Sequence, residues 1–216
     1  MSVAADTPLV LVHGFAQTPK SWQTTNESLG DGRQVQAIEL PGHGATALTR
    51  GEPTVENVRS CLAEGIDQAG PPVALWGYSQ GARVALDFAL AHPGKLSALI
   101  LESGTAGIDD PLARADRRSR DFALASRIEN QSIEEFVQLW ELVPALTDQS
   151  KELIETQRAD RLRHDPAALA AALRGIGQAA YEPMWARLNE LEMPVLVISG
   201  ERDKVYSAHA ERIAAS

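Results

Sequence analysis

Val73-Ala74-Leu75-Trp76-Gly77-Tyr78-Ser79-Gln80-Gly81 is an apolar run that ends in a glycine-flanked serine. Val84, Ala85, Phe88 and Ala89 follow it at helical spacing. The stretch therefore reads as strand, sharp turn, helix. In such an elbow the serine backbone is strained, and the flanking glycines let neighbouring backbone pass close by. The hydroxyl of Ser79 then stands clear of the sheet at a helix N-terminus, where developing negative charge is favoured. A five-residue Gly-x-Ser-x-Gly pattern arises often by chance. The strand before it and the helix after it make Ser79 a candidate reactive residue here and not a packing serine.

Working outward, further apolar runs occur at Leu9–Val12, Val35–Leu40, Leu96–Leu101 and Val195–Ile198. Most are nearly continuous in apolar residues, as in strands of a parallel sheet covered on both faces. Between them lie segments of helical period, such as Thr54–Gln68, where Val55, Val58, Leu62 and Ile66 recur at steps of three and four. The chain reads as an α/β fold, a mostly parallel sheet flanked by helices. From Leu101 to Val195 the alternation stops, and helical patterns such as Ile133–Leu142 and Ala167–Leu173 follow one another with no strand. That length is too great for a loop. Residues 1–104 and 191–216 are therefore expected to form the core, and residues 105–190 a helical cap over a pocket.

Two more motifs sit at strand ends. His13-Gly14-Phe15 follows the first run, and the backbone N–H of Phe15 can pair with that of Gln80 as an oxyanion hole. Pro41-Gly42-His43-Gly44 follows the second run and reads as a tight turn. His13 and His43 are read as loop-shaping hydrogen-bonders before they are read as reactive groups. After Val195–Ile198 comes Ser199-Gly200-Glu201-Arg202-Asp203, where the orienting acid of a serine-centred triad belongs. Glu201 competes for that role, but Asp203 lies deeper in the loop and is preferred.

The bulk properties exclude several classes. A formal net charge of −9 argues against a nucleic-acid partner or an anionic membrane surface. One cysteine, Cys61, excludes an internal disulfide and a cysteine-built metal site. No apolar run approaches the roughly 20 residues of a membrane span, and the start of the chain leaves no room for a signal-peptide core before the first strand. A cytoplasmic protein without metal is expected.

The motifs His13-Gly14-Phe15, Pro41-Gly42-His43-Gly44, Gly77-Tyr78-Ser79-Gln80-Gly81 and Ser199-Gly200-Glu201-Arg202-Asp203, in this order, resemble the α/β-hydrolase superfamily. Gly77–Arg83, Leu101-Glu102-Ser103-Gly104, the arginine-rich Arg114–Arg120, Trp140 and the pattern Arg161…Leu169…Leu173-Arg174 narrow the likeness. They resemble the 2-succinyl-6-hydroxy-2,4-cyclohexadiene-1-carboxylate synthases of the menaquinone pathway. The resemblance implies a cofactor-free lyase that eliminates pyruvate from a small cyclohexene polycarboxylate, with Ser79 as triad-activated base. It implies Ser79 and Asp203 as triad members, and Tyr78, Arg83, Arg117, Trp140 and Arg161 as substrate-binding residues.

The residues bear on this separately. Arg83 lies four positions after Ser79, one turn along the same helix face, and a guanidinium inside a packed helix is costly unless an anion meets it. A carboxylate substrate and a core acid are the two candidate anions. Ten of the sixteen arginines fall between Thr105 and Glu190, but fifteen acidic residues share that segment, so it is not net basic. Arg118, Arg120, Arg127 and Arg163 read as solvated helix surface. A carboxylesterase or lactonase using Ser79 as nucleophile is the alternative enzyme, and a non-catalytic binding protein on this fold is the alternative of another class. Against an enzyme stands the triad histidine. Lys204–Ser216 reads as a single helix, and His13, His43, His92, His164 and His209 are all poorly placed for the role. The expectation is that the last strand and helix of the fold lie beyond Ser216, with the histidine about 10–25 residues further on. Val195–Ile198 is then expected to form an apolar sheet edge.

Overall fold

A computed structural model describes residues 6–30, 32–44, 47–143, 146 and 149–216. Five strands, β1 (Leu9–Val12), β2 (Val35–Ile38), β3 (Val73–Tyr78), β4 (Leu96–Glu102) and β5 (Val195–Ile198), form one sheet in the order β2-β1-β3-β4-β5. Every pairing is parallel, with Leu9 opposite Val35, Val12 opposite Gly77, Tyr78 opposite Glu102 and Glu102 opposite Ile198. The order reverses at β1, so the chain ends of β1 and β3 diverge and open a crevice between them. In open parallel sheets that is where ligands bind.

Side chains alternate across the sheet. Val10, Val12, Val73, Leu75, Leu99 and Leu101 face one layer, packed with α2 (Val55–Ala69) and α3 (Gln80–Ala91). Leu9, Leu11, Ala74 and Ala98 face the other, with Trp22, Trp76 and Tyr78 against them. Helix α3 is the hub: ten of its residues are buried, among them Phe88 at 0% exposure. Helix α2 starts one residue later than its periodicity predicts, because Thr54 is its cap, its hydroxyl accepting the N–H of Asn57. Strand β2 stops at Ile38 and not at Leu40, since β1 ends at Val12 and the N–H of Leu40 turns to His13 Nε2 instead, at 3.1 Å.

Between β4 and β5 the described residues hold α4 (Pro111–Glu129), α5 (Ile133–Trp140), α6 (Lys151–Arg161) and α7 (Pro166–Ile176), and no strand. Each has a side-chain cap, from Asp110, Ser132, Ser150 and Asp165 respectively, and Ser132 with Glu135 makes a reciprocal capping box. Ala125, Ile128, Phe136, Leu169 and Ala170 bury a second small core here. Helix α8 (Lys204–Ala214) follows β5. Strand β5 is a sheet edge with Val195 and Leu196 exposed at 37% and 54%. No helix among the described residues is long and apolar enough to cross a membrane.

His13, His43 and His164 form a buried row of rings, with centroids 5.0 and 5.7 Å apart. His13 donates from Nδ1 to Gly14 O at 2.8 Å while Nε2 accepts from Leu40, so its neutral form is the one the fold uses. Burial pushes its pKa down to about 4, despite its hydrogen bond to Gly14 O and the nearby Asp160, and pushes that of His43 well below the usual value. Between pH 6.5 and 4 the unfolded chain therefore binds a proton that folded His13 refuses. Its contribution to stability is complete above the unfolded pKa and falls by about 3 kcal/mol as pH drops through that window. Urea unfolding is expected to weaken steeply between about pH 7 and pH 4, and His13→Gln should flatten the slope.

Candidate active site

Ser79 sits between β3 and α3 with φ 54° and ψ −107°, a left-handed strained backbone that its N–H secures by donating to Glu102 O at 2.8 Å. The elbow is possible only between glycines. A Cβ on Gly77 would lie 2.2 Å from Gly81 O, and one on Gly81 would lie 2.2 Å from Val12 O. Neither neighbour can yield, because both are backbone of the central sheet and helix. Gly81→Ala is expected to cost about 3 kcal/mol or more, read as a fall in the urea midpoint or as insoluble protein.

Ser79 opens onto a cavity of about 250 Å³ at the C-terminal ends of the strands. Phe15, Tyr78, Gln80, Arg83, Arg117, Trp140, Arg161 and Asp203 all line it with Ser79, so every site residue expected from the sequence reaches this one space. The Phe15 loop is shaped by Gln17, whose Oε1 accepts the N–H of Gly14 at 2.9 Å. Trp140 packs edge-on to Phe15, with ring centroids 5.3 Å apart. Asp203 caps α8, its Oδ1 accepting the N–H of Tyr206 at 3.1 Å, while Glu201 is exposed and away from the cavity. Burial, with Glu102, Tyr206 and Asp203 near it, pushes the Tyr78 hydroxyl pKa up.

The three arginines differ in how they are held. Arg83 is 5% exposed and makes no ion pair among the described residues. Its Nη1 reaches Ser79 O at 3.5 Å, its Nε is buried without a partner, and desolvation lowers its pKa. Asp121, a buried acid of the same cavity, acts on it through space, but no acid among the described residues comes within ion-pair distance of it. Arg117 donates from Nε to Asp121 Oδ1 at 2.8 Å and from Nη1 to Gln178 Oε1. Arg161, 2% exposed, lies 3.5 Å from Glu141 and donates to Gln157, leaving Nε unpartnered; burial lowers its pKa too.

Sequence reasoning missed Gln17, Asp121, Gln178 and Tyr206, which also line the cavity. Asp121 stands four residues after Arg117 on α4, a spacing that pairs side chains and was readable. Gln178 lies in the turn after α7 and carries no such mark. Among the described residues no histidine lines the cavity. His13, His43 and His164 form the buried row described above, His92 packs on Phe88, and His209 packs between Trp185 and Tyr206 at 5.9 Å from each.

A family model described as serine aminopeptidase, S33, matches residues 4–216. A putative 2-succinyl-6-hydroxy-2,4-cyclohexadiene-1-carboxylate synthase of Bacillus subtilis is 36% identical over 210 residues, covering 94% of this chain and 76% of the relative. Among solved structures, MenH from S. aureus superposes with a TM-score of 0.90 at 31% identity, covering 99% of this chain and 82% of that one. A malate-bound esterase from Thermogutta terrifontis superposes at 0.80 with 28% identity, covering 97% and 77%. A sheet that opens at its strand ends, a strained serine between two obligatory glycines and these relatives agree on one assignment: the chain belongs to the α/β-hydrolase superfamily and, within it, to the 2-succinyl-6-hydroxy-2,4-cyclohexadiene-1-carboxylate synthase family.

Proposed function

We propose that the cavity eliminates pyruvate from 2-succinyl-5-enolpyruvyl-6-hydroxy-3-cyclohexene-1-carboxylate, a step of menaquinone biosynthesis. The observation that carries this reading is Arg83, a buried guanidinium with no carboxylate partner beside the serine. A cation so placed is stabilised when a substrate carboxylate arrives, and a neutral ester has nothing to offer it. Arg117 and Arg161 give the same cavity two further anchors, enough for a substrate with several carboxylates.

The substrate's own chemistry assigns the steps. Its succinyl carbonyl acidifies the ring C–H at position 2. Removing that proton moves electrons toward the ring double bond at position 3 and expels the oxygen substituent from position 5. A 2,4-diene and the enol of pyruvate result, and no electrons are gained or lost. Ser79 Oγ takes the ring proton, and the N–H groups of Phe15 and Gln80 receive the developing enolate oxygen, a contribution of about 3 kcal/mol per donor in comparable sites. Ser79 is basic enough only if its own proton passes to an imidazole oriented by Asp203. The helices between residues 105 and 190 act as the cap that excludes water, with Arg117, Trp140 and Arg161 on their inner side. The substrate is a small molecule, and the −9 net charge disfavours a nucleic-acid partner.

Assay of pyruvate release from the cyclohexene, beside hydrolysis of a short p-nitrophenyl ester, tests the reading; ester turnover without pyruvate release would overturn it. An esterase reading is favoured by one observation, the strained serine elbow at a helix N-terminus, which also suits an acyl-enzyme. Since no described histidine lines the cavity, millimolar imidazole is expected to raise pyruvate release by this 216-residue protein. That stimulation should vanish in Ser79→Ala.

A further inference from the structure

The cavity is rich in donors and poor in free acceptors. Gln17 Oε1 is taken by the N–H of Gly14, Gln178 Oε1 by Arg117, and one oxygen of Asp203 by the N–H of Tyr206. Its other oxygen is the one the proposed mechanism assigns to the triad imidazole. Asp121 differs. It is 6% exposed, lines the cavity, and binds Arg117 through Oδ1, but its Oδ2 is buried with no hydrogen-bond partner. A buried carboxylate oxygen left bare costs stability, and in native proteins such an atom is met by a water, a ligand or a catalytic step. The atom lies beside Gly177, another cavity residue, where an added Cβ would come within 2.9 Å of it. Gln80 Oε1 is also buried and unpartnered, but it is a neutral amide whose Nε2 is tied to Ile176 O at 3.2 Å. The carboxylate is the stronger acceptor.

We propose that Asp121 is a specificity-determining residue, accepting through Oδ2 a hydrogen bond from a hydroxyl on the ring whose carboxylates Arg83, Arg117 and Arg161 hold. This rests on the function proposed above, whose substrate and product both carry such a hydroxyl at position 6. Oδ1 fixes the Arg117 fork, and Oδ2 meets the hydroxyl on the neighbouring ring carbon. One side chain thereby sets both the charge and the hydroxyl position of the ligand. A polycarboxylate without the hydroxyl leaves the buried Oδ2 bare and is rejected on that account.

Calorimetric binding separates the cases without requiring turnover. The hydroxylated product acid and 2-succinylbenzoate, the aromatic acid that differs by loss of the hydroxyl as water, are titrated into the unmodified protein and into Asp121→Asn. The unmodified protein is expected to bind the hydroxylated acid at least about tenfold more tightly, and Asp121→Asn to remove that preference. Equal weakening of both acids would mean that Asp121 only positions Arg117, and the proposal falls. No weakening of either would also overturn it. Should Asp121→Asn fail to fold, Asp121→Glu, which keeps the carboxylate and moves its oxygens by one methylene, must erase the preference too. If the unmodified protein binds neither acid, the function proposed above fails and takes this proposal with it; equal binding loss sinks the hydroxyl contact alone.

Discussion

Ser79→Ala is expected to lower pyruvate release by about 10⁴-fold, the upper range for removal of a positioned general base. The argument is geometric. The elbow gives Ser79 a backbone of φ 54° and ψ −107° that L side chains rarely adopt, and the surrounding sheet and helix maintain it at a cost in stability. Strain of that kind persists where it holds a reactive group in place. Alanine keeps the strain and removes only the oxygen, so the urea midpoint of Ser79→Ala should stay close to that of the unmodified protein. Glycine removes both. Ser79→Gly is therefore expected to gain about 1 kcal/mol in stability relative to Ser79→Ala while remaining inactive. An active Ser79→Ala protein would end every mechanism centred on this residue. A Ser79→Gly protein no more stable than Ser79→Ala would show that the elbow stores nothing.

The parts of this molecule legible in the sequence are those fixed by local rules. Leu9–Val12 and Val195–Ile198 read as strands because four consecutive apolar β-formers suit little else, and both are strands with those bounds. The elbow was legible because Gly77, Ser79 and Gly81 each answer a constraint within five residues. Strand β2 was read two residues too long, since apolar Leu40 continues the pattern and only the length of its neighbour β1 ends it. In the helical segment the sequence loses resolution. Arg158, Arg161 and Arg163 look alike on a polar helix, yet Arg161 is buried at the end of α6 and the other two are exposed. What separates them is the packing of α6 against the Thr18 loop, where Asp160 accepts both the N–H and the hydroxyl of Thr18. That contact spans 142 positions and leaves no local trace. Gln178 is illegible for the same reason. Asp121 was readable as a partner for Arg117, but its bare second oxygen could be found only in three dimensions.

Removing the charge of Arg83 should move activity and stability in opposite directions. A charge-assisted hydrogen bond to a substrate carboxylate contributes about 1.5–3 kcal/mol, so in Arg83→Ala kcat/KM for the cyclohexene polycarboxylate is expected to fall about ten- to hundredfold. Hydrolysis of a neutral p-nitrophenyl ester, if present, should change much less, because nothing in that ester meets the guanidinium. Stability decides what kind of residue Arg83 is. Were it one half of a buried ion pair, its removal would strand an acid and cost about 3–5 kcal/mol. Among the described residues no acid pairs with it, Asp121 being already bound to Arg117, and its Nε is without a partner. The burial that lowers its pKa is an unfavourable desolvation the folded protein carries until an anion binds. Arg83→Met, which keeps the stem that packs in α3 and discards the charge, is therefore expected to raise the urea midpoint while reducing discrimination between charged and neutral substrates. A destabilised Arg83→Met protein with equal losses on both substrates would make Arg83 a structural residue and remove the main support for a polycarboxylate ligand.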